Sequence, residues 1–135
     1  MVEAPVTERM SSWARAAQVI MMLQAAFGVV AGISLLVLLS GAQGGGIGPV
    51  EAGLLFAGIV LVLLTGWTAG RWNSRRAQVW TASVVLEGLI LVGNVSVISF
   101  DAWSDFEVSD GFALLIPAAA FLMLLLPSTK AWFDR

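Results

Sequence analysis

Four apolar runs, each near the length needed to cross lipid, constrain this chain more than any other feature. A transmembrane helix needs about 20 mostly apolar residues to cover roughly 30 Å of hydrocarbon at 1.5 Å per residue. The runs cover about 16–39, 50–69, 77–100 and 111–127. The first is interrupted only by Gln18, Gln24 and Ser34, and it ends before Gly44, Gly45, Gly46 and Pro49, residues that mark a loop. Because the runs are continuous rather than alternating, they predict helices and not barrel strands. Composition agrees: 59% hydrophobic and 12% charged residues, with a mean hydropathy of +0.90, lie outside the soluble range. The expected fold is an all-α membrane protein, a four-transmembrane-helix bundle over 16–135 behind a short segment at 1–15.

Direction follows from the basic residues. Arg9 and Arg15 precede the first span, Arg71, Arg75 and Arg76 separate the second from the third, and Lys130 and Arg135 follow the fourth. The other two loops carry none, so the positive-inside rule predicts that the N-terminus and C-terminus are both cytoplasmic in a multi-pass protein of the cell membrane. Trp13, Trp67, Trp72, Trp80 and Trp132 are expected near the inner interface and Trp103 near the outer one, the depths amphipathic indoles prefer. Reading the first span as a cleavable signal peptide fits less well, since its apolar run is about twice the usual length. The segment Thr7 to Arg15 reads as either a brief interfacial helix anchored by Trp13 or a solvated tail.

The fourth run is the shortest. Pro117 within it offers no N–H to the carbonyl of Ala113, so a kink or bulge is expected there. Between the third and fourth runs, Asp101, Asp105, Glu107 and Asp110 alternate with Trp103, Phe106 and Val108. This pattern suits an interfacial segment better than a calcium loop, whose ligand spacing and glycine turn are missing.

Several chemistries are excluded by absence. Without Cys, His or Tyr there are no disulfides, no zinc sites built on Cys or His, and no His-dependent catalytic dyad or triad. Seven scattered Lys and Arg residues make no basic patch for nucleic acid. No metal set, cofactor motif or base beside a nucleophile is visible, so an enzyme is not expected.

Two stretches carry a resemblance. The arginine-rich start of the third span through Leu86 and Glu87, and the ending Leu126, Pro127, Ser128, Thr129, Lys130, Ala131, Trp132, Phe133, resemble small four-span bacterial integral membrane proteins of an uncharacterised family. That resemblance implies fold and location and brings no activity with it. Separately, Arg15, Ala16, Ala17, Gln18, Val19 and Arg75, Arg76, Ala77, Gln78, Val79 are similar at the starts of spans one and three, which is either the trace of a duplicated hairpin or coincidence in an apolar alphabet.

The most informative residue is Glu87. It lies ten residues past Ala77, roughly 15 Å deep and close to the bilayer midplane. A charge there costs about 3 kcal/mol or more on insertion scales, so the side chain must face protein or water, find a partner, or carry a proton. At 100° per residue Trp80, Ser83, Glu87 and Asn94 share an arc that should point into the bundle. Gln24 stands nine residues past Arg15 and Glu87 eleven past Arg76, so their depths differ by roughly 3 Å and Gln24 is the expected partner. Gln24, Ser83, Glu87 and Asn94 are therefore the candidate intramembrane polar site. Gly28 with Gly32, and Gly66 with Gly70, have the spacing that allows close helix approach.

Two functions fit. One is an accessory or interaction subunit that partners the lipid bilayer, itself or another membrane protein, with Glu87 fixing helix register. The other is a small proton-coupled carrier acting as an oligomer through Glu87. Small multidrug carriers also combine four spans with a buried Glu, but theirs lies in the first span, and this first span has none.

Overall fold

The computed structural model describes residues 9–41, 48–100 and 108–134. The glycine run at 44–46, the acidic stretch from Asp101 to Glu107 with Trp103, and Arg135 lie outside the described residues. All regular structure among the described residues is helical: α1 (Ser12–Gly41), α2 (Pro49–Gly70), α3 (Ala77–Phe100), α4 (Val108–Leu125) and α5 (Pro127–Phe133), with a 3-10 turn at Trp72–Ser74. The α3 bounds coincide with the expected third span. Helix α1 begins four residues before the expected first span, so Trp13 and Arg15 are part of that helix and not of a separate leader element.

Helices α1, α2 and α3 are long and apolar enough to cross a bilayer, and α4 with α5 qualifies as a pair bent by 66°. Such helices fit a multi-pass membrane protein. Their surfaces agree, since Phe27, Leu38, Leu54, Phe56, Leu115 and Leu122 all turn outward, an arrangement that lipid tolerates and water does not.

The bundle is a ring in which α1 packs on α2 and α4, and α3 packs on α4 and α2, leaving α1 and α3 on a diagonal. Small residues bring α1 and α2 together. A Cβ on Gly28 would stand 2.6 Å from Val62 Cγ2, one on Gly32 3.3 Å from Ile59, and one on Gly66 3.1 Å from the Ala25 Cβ. Gly70 differs from its expected packing role: among the described residues no atom of another helix lies within 4 Å of the corresponding position, because α2 ends there and the chain turns away through Arg71.

Helix α4 runs without a break through Pro117, and the sharp bend falls at Leu126. Leu126 takes an extended conformation (φ −63°, ψ 136°), the region favoured before a proline, and Pro127 then opens α5. Helix α5 turns across the end of the bundle and packs on α1, α3 and α4. It seats Phe133 edge-on to Trp72, with ring centroids 5.3 Å apart at 87°. Trp72 therefore turns its ring into the protein and not outward. It is fully buried among Ala14, Ala17, Met21, Ala69 and Leu124, with its indole N–H donated to Ser83 Oγ at 3.2 Å. Trp13 and Trp67, by contrast, are exposed.

Burial is concentrated toward this basic end. The buried residues of α1 are Ala14, Ala17 and Met21, those of α2 Thr65, Thr68 and Ala69, and those of α3 Ser83, Leu86 and Glu87. Beyond the Glu87 layer, no described residue of α1, α2 or α3 is buried.

Candidate functional site

Glu87 and Gln24 meet across the diagonal of the ring. Gln24 Nε2 donates to Glu87 Oε2 at 3.3 Å, a long hydrogen bond that joins α1 to α3 where the helices themselves barely touch. Glu87 is fully buried and Gln24 partly so. The remaining oxygens, Glu87 Oε1 and Gln24 Oε1, are both buried without a hydrogen-bond partner among the described residues.

These two lone oxygens define what the pair can do. Each is an acceptor, so neither can satisfy the other while Glu87 is ionised. A proton on Glu87 Oε1 would supply the donor that Gln24 Oε1 lacks, and a small rearrangement would close an uncharged acid–amide pair. A water, with two hydrogens to give, would serve both oxygens as well.

The other two members of the candidate group lie elsewhere. Ser83, one turn toward the basic end, accepts from Trp72 Nε1 and donates to the Val79 carbonyl at 2.9 Å. Asn94, two turns the other way, donates through Nδ2 to the carbonyl of Ala113 at 2.7 Å. The shared face of α3 is real, but its residues serve different partners. Trp80 on the same face donates its indole N–H to the Leu124 carbonyl at 2.9 Å.

Residue spacing does not foretell the remaining buried polar contacts. Gln18 Nε2 donates to the Ala69 carbonyl at 2.9 Å and ties α1 to the end of α2. Thr65 and Thr68 are buried and turn their hydroxyls back on their own helix, to the carbonyls of Leu61 and Leu64. A polar residue inside an apolar run is the available signal for all three, yet whether it bonds its own helix, as the threonines do, or a neighbour, as Gln18 does, depends on which helix lies alongside.

The basic end is lined by cation–aromatic contacts. Arg71 lies 4.2 Å above the Trp67 ring, Arg75 3.8 Å above Trp132, and Lys130 5.4 Å from Trp80. Arg75 also has a left-handed backbone, φ 49°, which ends the 3-10 turn.

The site and fold are those of a helical bundle whose apolar helices fit a multi-pass membrane protein, with a buried acid–amide pair between α1 and α3. The chain matches no protein-family model, no curated protein and no solved structure.

Proposed function

We propose that this chain is a non-enzymatic multi-pass protein of the cell membrane, with both termini in the cytoplasm, that works by association with another membrane protein or with further copies of itself. The orientation rests on the basic residues, whose helix ends gather around Trp72 and Phe133 and would face the cytoplasm by the positive-inside rule. The observation that carries the accessory role is the second half of α1. Ile33, Ser34, Leu35, Leu36, Val37 and Leu38 are exposed at six consecutive positions, more than a full turn, so no side chain there is buried by the described residues. A partner helix would find a largely open apolar surface there, while the Gln24–Glu87 pair holds the bundle behind it.

A photo-crosslinking residue at Leu35 or Leu38, activated in native membranes, tests this reading. The expected outcome is a protein adduct of one discrete mass from both positions and none from Leu122 on the outer face of α4. Lipid adducts alone at all three positions would reject it.

A second reading, a proton-coupled carrier working as an oligomer, is favoured by the unpartnered oxygens of Glu87 and Gln24. Loss of proton-coupled flux from liposomes on Glu87→Gln, with the fold intact, would support it. Unchanged flux would leave the accessory role standing.

A further inference from the structure

The interface between α2 and α3 is the least extensive of the four around the ring, and at the basic end it leaves a groove of about 430 Å³. Arg71, Ser74, Arg76 and Gln78 line its mouth, while Trp67 and Val79 contribute apolar wall. No carboxylate is among its lining residues. We propose that this groove binds an anionic phospholipid, with the phosphate on Arg71 and Arg76 and the start of an acyl chain along Trp67 and Val79.

The chemistry is that of an amphiphile with a negative head. Two guanidiniums contribute planar sets of N–H donors that match phosphate oxygens, and Ser74 and Gln78 add neutral donors. Arg71 is held in place by its contact with the Trp67 ring, so less side-chain freedom is lost when it takes a ligand. Trp67 is more than half exposed, which suits a ring lying against lipid at the interface. Basic pockets between helix ends are the expected seats of anionic headgroups, each nearby Lys or Arg adding attraction. A soluble phosphate would use the mouth and leave the apolar wall uncovered. This inference requires the bundle to be membrane-embedded and is independent of the accessory role.

Native mass spectrometry of the full chain in neutral detergent, titrated with phosphatidylglycerol and with phosphatidylcholine, tests the proposal. Phosphatidylglycerol should be retained preferentially, and Arg71→Gln with Arg76→Gln should weaken it roughly tenfold or more, leaving phosphatidylcholine unchanged. The pair Arg9→Gln and Lys130→Gln removes the same charge outside the groove and should have a smaller effect. Equal retention of the two lipids, or equal losses in the two double variants, would overturn the proposal. Displacement of the lipid by millimolar inorganic phosphate would assign the groove to a soluble anion and overturn it too. Should the Arg71/Arg76 variant fail to fold, Ser74→Glu, at an exposed position, must produce the same selective loss, and unchanged phosphatidylglycerol binding in it would be equally decisive against the site.

Discussion

Asn94 of α3 donates to the carbonyl of Ala113 in α4, the carbonyl that Pro117 leaves without its helical donor. A proline removes the N–H that would bond four residues back, and in lipid no water replaces it. Asn94 fills that gap from the neighbouring helix. Near the other end of α4, where the chain bends at Leu126, Trp80 donates to the Leu124 carbonyl in the last turn of the helix. Helix α3 thus supplies a side-chain donor to α4 near Pro117 and again near Pro127.

Asn94→Ala should therefore cost about 1 kcal/mol, within the usual range for a side-chain hydrogen bond in a membrane bundle. In a Pro117→Ala background, where the helix regains its own donor, the same change should cost much less. Unfolding of the four proteins in a denaturing detergent series measures the coupling, and an equal cost in both backgrounds would show that Asn94 acts independently of Pro117.

Gln24→Leu leaves Glu87 buried without its hydrogen-bond donor and should destabilise by about 1–3 kcal/mol. Gln24→Leu combined with Glu87→Leu removes both partners, and the double variant should recover most of that loss. A double variant less stable than Gln24→Leu alone would mean that Glu87 is held by something other than Gln24.

Gly28→Ala places a methyl group 2.6 Å from Val62 Cγ2, and a β-branched valine has little freedom to swing aside. The helices must separate, at about 1–3 kcal/mol. Gly70→Ala meets no other helix within 4 Å among the described residues and should stay within about 0.5 kcal/mol of the parent. Comparable losses at the two positions would refute the close α1–α2 contact.

Phe133→Ala removes the ring that α5 seats on Trp72 and should cost about 3 kcal/mol, chiefly by releasing α5 from the end of the bundle. Trypsin reports this directly: cleavage after Lys130 should be slow in the parent and much faster in the variant. Equal cleavage rates would show that docking does not depend on the Phe133–Trp72 contact.

Much of this molecule is legible in its sequence, and the legible part has a common character. The α3 bounds follow from the extent of an apolar run, the orphaned Ala113 carbonyl from the proline four residues on, and the similar depth of Gln24 and Glu87 from counting along each helix axis at 1.5 Å per residue. The illegible part concerns neighbours around that axis. Asn94 shares a face with Glu87 yet bonds α4, Ser83 serves Trp72, and Gly70 has the spacing of a packing motif but stands where α2 ends.

The sequence by itself determined how many apolar runs the chain has, that they are long enough for membrane-spanning helices, and how far along its helix Glu87 lies, because hydrophobic length and helical rise are one-dimensional properties. Only the tertiary structure decided that α1 and α3 face each other across a diagonal, that Trp72 turns inward under α5, and that a neighbouring helix repairs the backbone at Pro117. Those outcomes depend on the rotation of each helix about its own axis. That rotation is set by the packing of all the helices at once, and no single run encodes it.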